Sequence, residues 1–522
     1  MARFRASGFL QRGALKTLKL TTVLTGIALL GACEGSGGGA GNAGKGGTAG
    51  MSGGGGGSAA STSVGASGGA SGDANGGGAG TGAGAGTNAS GGMSGSAGVN
   101  AGGTDAGGTA TGGASGTAGS GPAGTGGAGG MSGAGGMGGA GGSAGGGTTK
   151  WVASFTASPY LAASDAQPPS SLSGAVLRQV VRLSLGGSQL RFQFSNLSGN
   201  GNVVINSVHV ALCKATPAVD STIDTTTDKA LSFSGMPNVT IEQGKEVWSD
   251  TVDFTAPPLA NVTITMALGS VPQNLTAHAG SRTTSYVQAG STDVSQASMT
   301  SAQGTDHWYF ISGVDVMADA SAVAAVAIGD SITDGRGSDT NHFNRWTDIL
   351  SARLQADPTT KHVALVNQGI GGTNLAGSGT AAEARFARDV LGQSGVKYVI
   401  ILDGVNDING DASAQTLQGV YDKLIKQARD KGLLVYGGTI TPFNGHSYYT
   451  VAHEQVRTTL NTYIRSGAFD GTIDFDKAIS DGGNPPSIQA TFAEWSQKDG
   501  LHPGPAGYEA MGEAADLALF KK

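Results

Sequence analysis

Between Cys33 and Lys150 the chain is saturated with glycine, in stretches such as "GGTAGMSGGGGGSAAS" and "GGAGGMSGAGGMGGAGG". Glycine supplies 94 of the 522 residues, against a usual share of ~7%, and most of it lies here. The segment has almost no charge, no aromatic residue and no apolar periodicity. It cannot bury enough apolar surface to offset the entropy of ordering it. Glycine does not fall at every third position, so a collagen helix is excluded, and a silk-like glycine stack is the remaining ordered alternative. Residues 34–149 are therefore expected to be a disordered tether. Its root-mean-square reach is ~60 Å, from 5–6 Å times the root of about 115 residues.

The first 33 residues differ in character. "MARFRASGFLQRGALKTLK" is basic, and the apolar "LTTVLTGIALL" that follows is too short to span a bilayer comfortably. The leader ends in "LGAC", Leu30 to Cys33, which resembles the lipobox of bacterial lipoproteins. That resemblance implies cleavage before Cys33 and lipidation of its thiol; an ordinary secretory signal is the alternative. The expected location is the bacterial cell envelope, membrane-anchored on the periplasmic or cell-surface side, or else secreted. If Cys33 is lipidated, Cys213 has no partner and no intramolecular disulfide is expected. Cys213 closes the alternating "VHVALC", which suits a buried apolar thiol. The net charge of −6 is mild, and no basic block appears after the leader. Nucleic acid is therefore not an expected partner.

The remainder divides by pattern. Over residues 150–317 the signals are strands: "LRQVVRLSL", "SQLRFQFSN", "VVINSVHVAL" and "NVTITMAL" alternate or run apolar between Gly, Asn, Ser and Pro. "LSLGGSQLRF" reads as a hairpin with a Gly-Gly turn. An antiparallel β-sandwich is expected. Over 318–522 continuous apolar strands ("AVAAVAI", "HVALVNQG", "KYVIILDG", "LLVYGGTI", "TIDFD") alternate with amphipathic helices. That pattern indicates an α/β fold, a parallel sheet flanked by helices on both faces. In such sheets the ligand site lies beyond the carboxyl ends of the strands.

Four strand-end segments carry unusual polar residues: "GDSITDG" with Ser331, "NQGIGGTN" from Asn367 to Asn374, "DGVNDI" from Asp403 to Ile408, and "DGLHP" from Asp499 to Pro503. Gly329-Asp330-Ser331 alone could be a helix-capping turn. A hydrolase needs a hydroxyl, a base, a group that orients the base and donors for an oxyanion, and these segments contain all four. A second Asp-x-x-His pair, Asp339 and His342, lies nearer Ser331 in sequence, where Asp339 reads as a helix cap. His453 in "HEQVR" lacks the second His of a zinc helix, and "GIGGTN" departs from the dinucleotide fingerprint. His446 and Tyr448 could line a pocket, but read more naturally as a solvated loop. Arg345 and Trp346 read as a helix face packed on the sheet.

From about Ala318 onward, with all four blocks in order, the sequence resembles the SGNH, or GDSL-type, esterases and acylhydrolases. The β-rich part is similar, less specifically, to the N-terminal domain of some bacterial members. The resemblance implies a three-layer fold with Ser331 as nucleophile, His502 as general base and Asp499 orienting the imidazole. It also implies an oxyanion hole made by the backbone N–H groups of Ser331 and Gly372 and the side-chain amide of Asn406. Gly372 is chosen over Gly371 because the family places this glycine five residues after the Asn, here Asn367. Asp330 and Asp407 are expected to hold the loops. No metal or organic cofactor is implied.

The expected activity is hydrolysis of short acyl esters, with O-acetyl groups of an acylated polysaccharide as a candidate substrate and the membrane as a partner through the lipid anchor. The segments between the blocks are small and polar, without an apolar stretch to cover a fatty chain. A lipase or lysophospholipase, an inactive glycan-binding lipoprotein and a peptidase using the same three side chains are the alternatives.

Overall fold

The computed structural model describes residues 148–522 apart from Pro217. The leader, Cys33 and the glycine-rich stretch through residue 147 lie outside the described residues. Everything described belongs to one compact unit.

The first part of that unit is built of antiparallel sheets. Thr149–Thr156, Ile311–Asp319 and Gly187–Ser195 are neighbours in a five-stranded sheet, and Ala175–Arg182, Asn261–Leu268 and Val203–Leu212 in a seven-stranded one. Strict alternation buries Leu190, Phe192 and Phe194 on one face of their strand. They share a core with Leu177 and Val181 of the second sheet. A small third sheet pairs Thr276–His278 with Tyr160–Leu161 and Trp308–Tyr309.

The Gly-Gly hairpin is not formed. Ala175–Arg182 is hydrogen-bonded on its two edges to Asn261–Leu268 and Ser285–Ala289, so neither edge is free for the strand that follows it. The chain instead crosses to the other sheet, and a Cβ at Gly186 would stand 2.6 Å from the Pro258 nitrogen. Cys213 is half-buried rather than enclosed, packed beside Val180, Val219 and Phe343.

The second part is a parallel sheet in the order Val363–Gly369, Val323–Gly329, Val396–Leu402, Leu434–Gly438, Gly471–Ile473. Alternate residues of the second strand serve two cores. Ala324, Val326 and Ile328 face Phe386, Leu424 and Ile464, whereas Ala325 and Ala327 face Trp346, Leu350 and Tyr508. Both faces are therefore covered by helices, which is why these strands read as unbroken apolar runs.

The two parts share a seam. Val363–Gly369 is an edge strand of the parallel sheet, and edge groups need partners. The antiparallel part supplies them: Leu365 N–H donates to Ser184 Oγ at 2.7 Å, and Thr156 Oγ1 donates to the Asn367 carbonyl at 3.0 Å. Ser158 Oγ continues the row, donating to Gln368 Oε1 at 2.6 Å.

Candidate active site

Val323–Gly329 delivers the chain to the carboxyl edge of the parallel sheet, and the next residues turn into the short helix Ser331–Asp334. Asp330 caps that helix by accepting from Ile332 N–H at 2.8 Å. The turn is too tight for any side chain at 329, because a Cβ there would lie 2.1 Å from the Leu402 carbonyl oxygen. Capping turn and site residue are thus the same feature, and Ser331 starts the helix.

His502 meets it from the far end of the chain. Ser331 Oγ lies 2.7 Å from His502 Nε2, and His502 Nδ1 lies 2.7 Å from Asp499 Oδ2. Asp499 also accepts from the backbone N–H of Leu501 and His502, at 3.0 and 2.9 Å. One carboxylate therefore folds the turn and orients the ring. With Nδ1–H donated to Asp499, the lone pair of Nε2 faces the serine hydroxyl. Burial works against the Asp499 anion, but the His502 and Leu501 donors outweigh it and hold the carboxyl well below the usual range. Burial pushes the His502 imidazole below its ordinary value; Asp499 opposes this, and the nearby Arg336 cation and the His446 ring add to it.

The second and third blocks close on the same point. A Cβ at Gly371 would stand 4.0 Å from Ser331 Cβ. The Gly371 N–H is taken by Asp334 Oδ2 at 3.1 Å. The Gly372 N–H has no hydrogen-bond partner among the described residues, and this residue sits exposed in left-handed backbone, φ 73°. Asn406, on the short helix Val405–Asn409, donates one amide hydrogen to the Thr373 carbonyl at 2.7 Å. Tyr448 OH donates to its Oδ1 at 3.3 Å. Asp407 accepts from Leu375 and Ala376 N–H at 2.7 and 3.0 Å, so it orders the loop after the second block.

Beneath these loops Asp330 and Asp403 are fully enclosed. Burial first, then the neighbouring carboxylates, push Asp330 up to about 7 and raise Asp403 strongly. Arg385 is the nearby cation that opposes both.

The other expectations sort as follows. Asp339 is exposed and exchanges hydrogen bonds with Asn344, His342 is exposed, and neither contacts Ser331. Asp339 caps no helix, since the next one begins at Trp346 with Arg345 as its cap. Trp346 packs under the sheet on Phe475, as expected. Arg345 does more than pack: its Nε donates to the Asp334 carbonyl at 2.9 Å, and it also reaches the Ser281 carbonyl. His446 and Tyr448 are half-buried and stacked edge-on at 4.4 Å, with Tyr448 on Asn406, so this loop is part of the rim rather than solvated chain. Trp495, 6.0 Å from the His502 ring, and the exposed Arg336 complete that rim. No local pattern marks Trp495 or Arg336, because each reaches the site only through the packing of the loops. Among the described residues no cluster of three or more His, Cys, Asp or Glu side chains has the arrangement of a metal site.

Residues 327–510 match the GDSL-like lipase/acylhydrolase family. Among solved structures, the chain is similar to an acetylxylan esterase from Geobacillus stearothermophilus (19% identity over 38% of this chain and 94% of that one, TM-score 0.30). It is also similar to a GDSL-like lipase from Bacteroides thetaiotaomicron (18%, 38% and 87%, TM-score 0.29). A member of the lipolytic protein G-D-S-L family from Veillonella parvula is comparable (19%, 37% and 96%, TM-score 0.25). No curated protein sequence matches the chain.

Proposed function

Residues 327–510 are a GDSL-like lipase/acylhydrolase domain, and from that premise we propose that the protein is a serine ester hydrolase for short acyl groups, with O-acetylated polysaccharide as its substrate class. The observation that carries this reading is the unbroken hydrogen-bond chain Ser331–His502–Asp499.

Ser331 Oγ attacks the ester carbonyl carbon while His502 Nε2 takes its proton. Charge develops on the carbonyl oxygen. The donors for it are the N–H groups of Ser331 and Gly372 and the second amide hydrogen of Asn406, whose first is committed to Thr373. The tetrahedral adduct collapses, the C–O bond to the alcohol breaks, and His502 returns the proton to the departing oxygen. Water then repeats the sequence on the acyl-serine and releases the acid. Asp499 stays ionised throughout and stabilises the transient imidazolium.

Short acyl groups are favoured by the polar character of the rim, made by Arg336, Asn406, His446 and Tyr448, and by the exposed small residues of 377–380. An acyl-length series of p-nitrophenyl esters tests the reading. Activity should peak at two to four carbons, fall steeply by twelve and vanish in Ser331→Ala. A peak at eight carbons or more would replace it with a lipase or lysophospholipase role. We further propose that Cys33 carries a lipid anchor and that residues 34–149 tether the enzyme to an envelope membrane.

A further inference from the structure

His278 belongs to the antiparallel part, at the end of the strand Thr276–His278, and is buried at the seam. Its ring lies between two aromatic side chains of the same part, stacked on Trp308 and edge-on to Tyr160, each with centroids 5.8 Å away. Trp308 is itself fixed by its indole N–H on the Val180 carbonyl at 3.0 Å. His278 Nδ1 faces the Ser158 carbonyl at 3.0 Å, an acceptor only, so Nδ1 carries a hydrogen. Nε2 lies 3.0 Å from Asp334 Oδ1, so one proton is held between the two atoms.

Asp334 is three residues past Ser331 and fully enclosed. Its other oxygen accepts from Gly371 N–H at 3.1 Å. The fit around this carboxylate leaves no slack, since a Cβ at Gly280 would fall 1.9 Å from Oδ2. Burial opposes its charge, and His278, with Arg282 and Arg345 adding to it, more than compensates, keeping the carboxyl below its ordinary range. Without His278 this buried carboxylate would lose its side-chain hydrogen-bond partner and keep only the Gly371 N–H and the cations Arg282 and Arg345 nearby, a loss that favours protonation or movement.

Past Gly372 the loop is held by Asn406 and Thr380 on Thr373 and by Asp407 on Leu375 and Ala376, but before it side-chain contacts are few. Gly371 and Gly372 carry no side chains. The turn is pinned by Ile370 N–H on the Gly329 carbonyl at 3.0 Å, Thr373 N–H on the Ile370 carbonyl at 3.3 Å, and Gly371 N–H on Asp334. Fixing the Gly371 amide aims the next one, Gly372, whose N–H is free to donate. From this geometry we infer that His278 is a positioning residue: acting through Asp334 and Gly371, the antiparallel part sets the Gly372 N–H against the reacting carbonyl oxygen. This rests on the ester-hydrolase reading above. It makes the antiparallel part a working component of the site, whatever else that part binds.

Oxyanion donors act on the transition state, so misaiming one should lower kcat and spare KM. The test uses the full-length chain with p-nitrophenyl acetate, Ser331→Ala as control and circular-dichroism melts to establish folding. His278→Ala misaims a donor without deleting it, so it should lower kcat by less than the about 10²–10³ of outright deletion, about tenfold to a hundredfold, with KM changed less than threefold. Inhibition by phenylboronic acid, which forms a tetrahedral adduct on the serine, should weaken by a similar factor. His278→Gln, long enough to donate to Asp334, should recover part of the loss. Asp334→Ala should match His278→Ala, and the double variant should be no worse than the poorer single one.

If His278→Ala does not fold, His278→Asn, too short to reach Asp334, is held to the same criteria. A folded variant with kcat within twofold of wild type, a loss confined to KM, or multiplying effects in the double variant would each overturn the inference. A wild-type chain that does not hydrolyse the ester, or a Ser331→Ala variant as active as wild type, would overturn the esterase reading instead.

Discussion

Asp499 Oδ2 stands 2.7 Å from Nδ1 of His502, three residues along the chain, and it leaves Nε2 of the same ring 2.7 Å from Ser331 Oγ. A single turn at the C-terminal side of the sheet thus carries both the imidazole and the carboxylate that orients it. The same carboxylate binds two backbone N–H groups of its own turn, so the ring has little freedom to leave the serine.

The two Asp-x-x-His pairs are separated by this contact. His502→Ala and Ser331→Ala should each lower ester turnover by about three to six orders of magnitude. His342→Ala should stay within about twofold of wild type, because an exposed imidazole that touches no site residue has nothing to contribute. Steady-state kinetics on p-nitrophenyl acetate decides between them, and the reverse ranking would transfer the role to Asp339 and His342.

Asn406→Ala removes one of the proposed oxyanion donors and should lower kcat by about 10²–10³ with the Ser331 hydroxyl still in place. Tyr448→Phe removes the hydroxyl that orients Asn406 and should cost less, at most about tenfold. A Tyr448→Phe loss larger than that of Asn406→Ala would show that the hydroxyl contacts substrate directly.

The pH profile follows from the His502 environment. The proposed mechanism needs the neutral ring, and burial lowers its affinity for a proton. The acid limb of kcat/KM, which reports the free enzyme, should therefore have its midpoint below the ordinary histidine value of ~6.5. Arg336 contributes to that lowering. Removing its charge in Arg336→Gln should let the ring protonate more readily and move the midpoint to higher pH. A midpoint that shifts the other way, or not at all, would mean that Arg336 does not act on His502.

Ser184→Ala probes the seam. It strips the acceptor from Leu365 N–H on the buried edge strand and breaks the 2.8 Å contact with Ser351. An unsatisfied buried donor costs about 1–3 kcal/mol, so the thermal midpoint should fall while kcat of the remaining folded enzyme holds. An unchanged midpoint would mean that the edge N–H finds another partner.

Cys33→Ser should shift the protein out of the detergent phase in a Triton X-114 partition of expressing cells. Equal partitioning of variant and wild type would remove Cys33 as the attachment point.

Local patterning specified the alternation of strands and helices after residue 318, the antiparallel character before it, and the four polar blocks at strand ends. These are local properties: burial on both faces makes a strand apolar throughout, and a capping turn has to be written within a few residues. Through the resemblance those blocks carry, it also pointed to Ser331, Asn406, Asp499 and His502. Spacing looks the same at 339 and at 499, so the choice of Asp499 and His502 rested on the family resemblance; the packed chain is what brings that pair to the serine. Strand pairing was likewise beyond local reading. The Gly-Gly connection after Leu185 looks like a hairpin, yet both edges of Ala175–Arg182 are claimed by strands far along the chain. The contact of His278 with Asp334 leaves no trace in "TAHAG" or "SITDG", because it joins a strand of the antiparallel part to the helix Ser331–Asp334 across 56 residues. Such a pairing has no period or spacing, and it exists only once the seam between the two parts has closed.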